Sequence, residues 1–308
     1  MNDPVFPYSD DNKRYHTLSF ENRRRFGGKA YKAVIDAGFT CPNIDGTKRR
    51  GGCAFCDGGS GYFTSPGSVA EQIAREKVRI LQKHPKAKIV AYFQAHSNTY
   101  SNPKRLRELY LEAVSCGICE ISVATRADCI DKEKAELLKA LPVPVTVELG
   151  LQTVHDKTAE QMNRGHTYAE FLEAYRLLKR KGIRVCVHII NGLPGETDEM
   201  MLETAERLGR LQPDGVKLHL LHVIRGTRLA ELYKQDEYEP LTMERYVSTT
   251  VRQLELLPPE TVIERITGDG DREKLLAPLW SRDKIRVLGA IDVLQREWDS
   301  FQGKKYTG

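Results

Sequence analysis

The chain has 308 residues, of which 40% are hydrophobic and 29% charged, and its formal net charge is +5. No apolar run approaches the ~20 residues that span a bilayer, and residues 1–8 lack the basic start and apolar core of a signal peptide. These features exclude a membrane-spanning protein and predict a cytoplasmic one, whose length allows one large domain or two smaller ones.

The positive charge is concentrated near the N-terminus. Residues 1–50 contain ten Lys and Arg against six Asp and Glu, whereas the rest of the chain is nearly neutral. Basic clusters are usually solvated faces, but they also supply phosphate contacts to RNA. The candidate nucleic-acid-binding residues are Arg23, Arg24, Arg25, Arg49 and Arg50.

Short β-rich runs alternate with longer stretches of helical periodicity from residue 32 onward. The predicted strands cover 32–39, 89–94, 119–125, 145–151, 184–190 and 215–222. The predicted helices between them cover 68–83, 103–115, 131–140, 155–163, 167–181 and 197–211. Near-continuous apolar strands indicate a parallel sheet buried on both faces. Six β/α units fall short of the eight of a full barrel, so we predict an α/β fold with a partial (β/α)6 TIM-like barrel or an open sheet.

The two ends of the chain do not continue this alternation of strand and helix patterns. We interpret residues 1–30 as a basic N-terminal arm and residues 31–225 as the barrel core. Residues 226–308 contain helical patterns near 242–256 and 283–299, and we interpret them as a helical C-terminal extension packed on the barrel.

Three cysteines, Cys41, Cys53 and Cys56, lie in a glycine-rich loop at 41–56, directly after the first predicted strand. Cysteines so placed in a cytosolic protein indicate metal binding or catalysis rather than a disulfide framework. Three thiolates can bind three irons of a 4Fe–4S cluster and leave the fourth open, although the close pair alone would also suit zinc or a redox site. The other close pair, Cys116 and Cys119, is interpreted as core packing rather than a second metal site.

The loop and its flanks resemble a known family. The runs Asp36-Ala-Gly-Phe-Thr-Cys-Pro-Asn-Ile-Asp-Gly46, Gly51-Gly-Cys-Ala-Phe-Cys56 and Ala277-Pro-Leu-Trp-Ser281 resemble the elongator-like branch of the radical S-adenosylmethionine (SAM) superfamily, in particular a compact bacterial group. Eleven residues separate the first two cysteines here, whereas the commonest motif of the superfamily has three. The resemblance implies one 4Fe–4S cluster on the three cysteines, with SAM at the open iron. It also implies reductive SAM cleavage to a 5′-deoxyadenosyl radical, with an electron donor such as flavodoxin or ferredoxin.

The same resemblance implies which residues surround SAM. Phe55 would lie against the adenine, or would merely pack the loop. Arg164 would clamp the methionine carboxylate, a role suited to its forked guanidinium, or would form a surface ion pair. His188 stands where the family's adenine-pocket element has its first glycine. The remaining candidates are Gln94, Ser97, Glu148, Gln152, Asn191 and Gly192.

The substrate expectation also comes from the family. Catalytic members of the elongator-like branch modify wobble uridines of tRNA, so tRNA is the expected partner. About 85 residues follow the predicted barrel, too few for the acetyltransferase-like domain of elongator, which favours tailoring of an existing side chain. We expect conversion of a carboxymethylaminomethyl group to the aminomethyl form. The alternatives are radical SAM chemistry on a non-tRNA substrate and a non-catalytic Fe–S or zinc RNA-binding module, and no catalytic residue is assigned.

Overall fold

The structure is a computed structural model that describes residues 6–58, 64, 66–94, 96–268 and 270–308. Its strands are β1 (Ala30–Ile35), β2 (Lys88–Phe93), β3 (Glu120–Arg126), β4 (Val145–Gln152), β5 (Arg184–Asn191), β6 (Gly215–Leu220), β7 (Val223–Ile224), β8 (Val262–Ile266) and β9 (Leu275–Ala277). Seven of them form one parallel sheet in the order β1-β2-β3-β4-β5-β6-β8, and β7 pairs with β9 in a small antiparallel sheet.

The central strands are largely buried on both faces because helices cover the outside of a curled half-barrel. In β4 every residue from 145 to 151 is buried. The helices are α1 (Leu18–Phe26), α2 (Val69–Lys83), α3 (Pro103–Ser115), α4 (Lys132–Lys139), α5 (Asp156–Gln161), α6 (Tyr168–Arg180), α7 (Asp198–Leu211), α8 (Arg228–Lys234), α9 (Met243–Leu256) and α10 (Lys284–Glu297). Short 3₁₀ turns cover Ala127–Cys129 and Leu279–Arg282. None of the helices of this described part of the chain is long and apolar enough to cross a membrane.

Helix α1 covers the seam between the two edge strands, β1 and β8, and packs against both. Just before it, Thr17 forms a parallel bridge to Ile263, and the Ile263 N–H donates to the His16 carbonyl at 2.8 Å. At its other end, Asn22 Nδ2 donates to the carbonyl of Ala30, the first residue of β1, at 3.3 Å. The N-terminal segment is thus part of the barrel wall.

The six predicted β/α units are confirmed, with differences at their ends. The first strand begins at Ala30 and ends at Ile35, so residues 36–39 already belong to the loop that follows. The sixth ends at Leu220 instead of continuing to 222. The seventh strand, β8, was not expected, because Glu264 and Arg265 interrupt its short apolar run.

Candidate functional site

The cysteine loop folds back on itself after β1. The Ile44 N–H donates to the Cys41 carbonyl at 2.8 Å, and the Cys56 N–H donates to the Cys53 carbonyl at 2.9 Å. A short bridge between Asp45 and Arg50 closes the part between these two turns. Backbone bonds therefore hold the three cysteines in one compact loop.

The turn between α5 and α6 holds this loop at the carboxyl end of β4. The Ala54 N–H donates to the Met162 carbonyl at 2.9 Å, and Asn163 Nδ2 donates to the Gly52 carbonyl at 2.7 Å. From the loop side, Asn43 Nδ2 donates to the Arg164 carbonyl at 3.1 Å. Contacts in both directions make the loop and residues 162–164 one structural unit.

The three thiols differ in exposure. Cys41 and Cys53 are buried and Cys56 is half-buried. Burial, together with its neighbours Cys53, Asp57 and Cys41, raises the pKa of the Cys56 thiol to about 11. Within the described ranges, no three Cys, His, Asp or Glu side chains converge as the ligands of one ion do. Cysteines bound to a 4Fe–4S cluster need not converge in that way, because each binds a different iron.

Arg164 is a buried cation that contacts this loop. It is 5% exposed, its Nη1 donates to Cys53 Sγ at 3.3 Å, and its Nη2 donates to the Gly150 carbonyl at 3.0 Å. Among the described residues it has no carboxylate partner, and its Nε has no hydrogen-bond acceptor. The surface-ion-pair interpretation is therefore wrong. A buried guanidinium without a counter-ion is costly unless an anionic group binds it.

A second buried guanidinium, that of Arg126 at the end of β3, faces the same loop. Burial lowers its pKa, but the Asp128 carboxylate, 2.9 Å from both Nε and Nη2, and the nearby Cys53 raise it overall. Arg126 Nη1 and Asn43 Oδ1 are buried without a partner in the described part of the chain. Arg126 Nη1 and Arg164 Nε are thus two unused guanidinium donors near Cys53, whereas Asn43 Oδ1 can only accept. The two donors fit a sulfide-bridged cluster with an anionic ligand.

A cavity of about 350 Å³ opens at the carboxyl ends of the strands. Phe55, Gln94, His96 and Gln152 lie in its wall. Gln152 ends β4 with φ +76°, at an irregularity in the pairing with β5. Ser97, in contrast, is fully buried outside this wall. The rest of the lining is formed largely by Tyr92, His188, Ile190, Lys217, His219, His222 and Arg265.

Phe55 fits both interpretations of its role. It lines the cavity and also packs against a small apolar cluster that contains Ala54, Leu193 and Leu221. Packing thus holds the ring at the cavity wall, where a planar ligand could lie against it.

Glu148 lies beneath the cavity, and both of its oxygens are bonded to protein groups. Its Oε1 accepts hydrogen bonds from Lys32 at 2.5 Å and from Ser122 at 2.7 Å. Its Oε2 accepts from His188 at 2.9 Å and from Lys217. Lys217 and His188 line the cavity, whereas Glu148 does not. Glu148 therefore reaches the cavity only indirectly, through the lining side chains bonded to it, which also include Tyr92.

The charge states of Glu148 and His188 follow from their burial and from the lysines beside them. Burial alone would raise the pKa of Glu148, but Lys217 and Lys32 hold it well below its usual value, so the carboxylate is ionised. Burial and Lys217 lower the pKa of His188 to about 4, so its ring is neutral at pH 7. The Tyr92 ring lies beside both ammonium groups, whose nitrogens are 4.7 Å and 4.9 Å from its centroid.

Asn191 and Gly192 lie outside the cavity. Strand alternation directs Ile190 into it and Asn191 away, and the Asn191 amide pairs with Gln253 of α9 through two 2.8 Å hydrogen bonds. Gly192 has φ +88°, and an added Cβ would lie 3.0 Å from Leu241. Packing of the C-terminal helices accounts for both residues in this structure.

The arginines of α1 lie at the amino end of the barrel. Arg25 pairs with Glu120, the first residue of β3, and Arg24 binds Glu21 at 2.8 Å. Because parallel strands all start at the same end, these candidate nucleic-acid-binding arginines lie at the end of the barrel away from the cysteine loop. The third arginine, Arg23, pairs with Asp10.

Arg49 and Arg50 do lie in the cysteine loop. Arg49 Nη1 donates to Asn163 Oδ1 at 3.4 Å, and its Nη2 is 3.9 Å from Glu160. The Arg50 carbonyl accepts from Asn163 Nδ2 at 3.1 Å, and its side chain is exposed. Both residues help to seat the loop.

Lys32, Glu264, Tyr92 and Arg126 are the site residues that the sequence did not single out. Lys32 binds Glu264 Oε2 at 3.0 Å as well as Glu148. The available signal was a charged residue within an apolar strand, because such a side chain requires a buried partner.

Comparison with known proteins agrees with this arrangement. The Radical SAM superfamily model matches residues 49–208, and the Radical_SAM C-terminal domain model matches 213–295. The chain is 43% identical to YtqA of Bacillus subtilis, over 99% of this chain and 96% of that protein. It is 33% identical to the tRNA uridine(34) acetyltransferase of Methanocaldococcus jannaschii, over 48% of this chain and 28% of that protein. Archaeal Methanocaldococcus infernus Elp3 shares its fold, with a TM-score of 0.69 at 18% identity over 89% of this chain and 65% of that one.

The fold and site define an α/β half-barrel with a three-cysteine loop beside a cavity at the carboxyl ends of its strands. The chain belongs to the radical SAM superfamily. It is a radical SAM enzyme, whose cofactors are a 4Fe–4S cluster and SAM.

Proposed function

We propose that Cys41, Cys53 and Cys56 bind the 4Fe–4S cluster and leave one iron open for SAM. The support is that the three thiols lie in one loop, held at the barrel mouth by the α5–α6 turn. SAM bound to such a cluster supplies a 5′-deoxyadenosyl radical. The electron it requires comes from a donor such as flavodoxin or ferredoxin.

We place SAM between the cysteine loop and the near wall of the cavity. The unpaired guanidinium of Arg164 receives its carboxylate, since it is buried beside Cys53 without a carboxylate of its own. Phe55, Gln94 and Gln152 line the adjoining wall and contact the rest of the cofactor. This assignment leaves the rest of the lining, which includes His188, Lys217 and His219, for the substrate.

The proposed substrate is the wobble uridine of tRNA, whose carboxymethylaminomethyl side chain is converted to the aminomethyl form. The observation that carries this proposal is the similarity to the tRNA uridine(34) acetyltransferase across about half of this chain. The remaining lining adds chemical support, because Lys217 and Arg265 would meet the carboxylate of the carboxymethyl group that is removed. His219, whose buried Nε2 lacks an acceptor within the described residues, adds a further polar contact there.

Two linked measurements test this function. Anaerobically reconstituted enzyme with dithionite and SAM should release 5′-deoxyadenosine, and tRNA from a deletion strain should accumulate carboxymethylaminomethyluridine. Adding the enzyme to that tRNA should generate the aminomethyl nucleoside, detected by mass spectrometry. The Cys53→Ala variant is the matched control and should do neither.

The outcomes separate the alternatives. Release of 5′-deoxyadenosine with unchanged tRNA nucleosides would indicate a radical SAM enzyme with another substrate. Binding of tRNA without any SAM cleavage by a protein with a full iron–sulfur complement would indicate a non-catalytic RNA-binding module. Either result would overturn the proposed function.

A further inference from the structure

A second concentration of positive charge lies beside the mouth of the cavity. It is formed by residues 222–228 and 270–286, which together contain seven Lys and Arg against three Asp and Glu. We call these two segments the rim surface. Their excess of basic residues is as large as that of the first 50 residues, in about half the length.

Backbone contacts fix the rim surface next to the cavity and the cysteine loop. Ile224 and Asp271 line the cavity itself. The Arg225 N–H donates to the Lys274 carbonyl at 2.8 Å and joins the two segments beside the β7–β9 pair. The Leu229 N–H, at the start of α8, donates to the Ala54 carbonyl at 2.8 Å. Both segments therefore lie beside the opening of the cavity.

The arginines of this surface are not neutralised as those of α1 are. Arg225, Arg228 and Arg272 are exposed, and no carboxylate of the described residues forms an ion pair with them. Arg24 and Arg25, in contrast, each bind a buried glutamate. Exposed arginines without partners at a cavity mouth are available to an anionic ligand.

We propose that the rim surface binds the RNA backbone on either side of the nucleotide whose base enters the cavity. This inference rests on the proposed function, because it takes the substrate to be a base within RNA. A base must leave its stack to reach an enclosed site, and contacts to the neighbouring phosphates hold the strand in that state. The arginine guanidinium suits this task, since its fork binds phosphate oxygens in pairs.

The location favours RNA over an acidic protein as the occupant. A molecule bound here covers the cavity mouth, which a substrate must enter and an electron-donor protein need not. Leu279 and Ile285, 57% and 86% exposed, also lie on the rim surface. They offer apolar contact to bases that are unstacked beside the extruded nucleotide.

Charge reversal tests the proposal on the reconstituted holoenzyme, with unfractionated bacterial tRNA as the probe. The R225E/R228E/R272E variant should bind tRNA at least ~30-fold more weakly at about 0.1 M salt. Its plot of log affinity against log salt should be flatter by about two to three units, because each lost phosphate contact removes about 0.7–0.9. The matched control, R107E/R176E/R180E, changes the charge equally on exposed positions of α3 and α6. The tRNA affinity of this control should stay within about threefold of the wild-type value, because salt screens charges that lie far from the bound RNA.

SAM cleavage without tRNA should persist in both variants. If charge reversal disturbs folding, the R225Q/R228Q/R272Q variant tests the same arginines by removing their charge without reversing it. Suppose that the wild type modifies tRNA but the rim and control variants have equal tRNA affinity and salt slope. That result would overturn the RNA-binding role of the rim surface and leave the proposed function standing. Unchanged tRNA binding with slower reduction by flavodoxin would overturn it in favour of an acidic protein. A wild type that neither binds nor modifies tRNA would overturn the proposed function itself.

Discussion

Arg164 Nη1 lies 3.3 Å from Cys53 Sγ, although 111 residues separate the two in the chain. This contact joins the loop after the first strand to the turn that follows the fourth. It brings a buried cation to the thiols, where anionic ligands would otherwise be unfavourable in a low-dielectric surrounding.

Replacing Arg164 should weaken SAM binding without preventing cluster assembly. For Arg164→Ala we expect a loss of ~2–5 kcal/mol, the range for removing one partner of a buried charge pair. Arg164→Lys keeps the charge but loses the fork, so an intermediate loss is expected. Equilibrium binding of SAM and iron content per chain are the measurements. Wild-type affinity in the alanine variant would mean that Arg164 only supports the loop.

Substitution of any of the three loop cysteines should have the same effect on the cluster, and substitution of the other cysteines should not have it. Alanine at Cys41, Cys53 or Cys56 should abolish iron–sulfur absorption and 5′-deoxyadenosine formation. Alanine at Cys116 or Cys119, which lie at the turn between α3 and β3, should leave both unchanged. A reconstituted protein that holds stoichiometric zinc without iron–sulfur absorption would contradict the cluster assignment.

The two lysines that bind Glu148 allow a matched comparison. Lys32→Met and Lys217→Met each remove one cation from the same buried carboxylate, so each should destabilise the protein by ~3–5 kcal/mol in urea unfolding. Only Lys217 lines the cavity. We therefore expect the Lys217 variant alone to lose tRNA modification while retaining SAM cleavage. An equal loss of modification in both variants would indicate a purely structural role.

Glu21 should contribute pH-dependent stability. Burial by itself raises its pKa, but hydrogen bonds with His16 and Arg24 lower it to about 2. The folded form thus favours the ionised carboxylate, and the resulting stability, at most about 3 kcal/mol, is present above pH ~4.5 and lost as the pH falls toward 2. In urea unfolding, the stability gap between wild type and Glu21→Gln should narrow from pH 6 to pH 3.5. A difference in unfolding free energy that does not change with pH would show that ionisation of Glu21 does not contribute to stability.

The sequence predicted the parts of the fold that have a strong local pattern. Near-continuous apolar runs such as Val145–Leu151 identify the first six strands without any tertiary information. Strand β8 was not predicted because Glu264 and Arg265 occupy two of its five positions. The pairing of Glu264 with Lys32 depends on the sheet register, which the local pattern does not contain.

The site was predictable only in part for a similar reason. The cysteines and Arg164 are identified by motif, and the structure brings Arg164 to Cys53. Arg25 is close in sequence to the loop, but β1 lies between them and carries the chain from one end of the barrel to the other. Asn191 was assigned to the cavity, although strand alternation with Ile190 could have indicated the opposite side.

The seam that α1 covers has a consequence for the order of events during synthesis. More than 220 residues separate β1 from β8, the two strands that α1 joins. At ~5–20 residues per second, a ribosome needs roughly 10–50 s between them. Throughout that interval the nascent half-barrel lacks one edge, and α1 has only half of its packing surface. The interior therefore stays accessible to cluster-delivering proteins and to chaperones until the last strand docks.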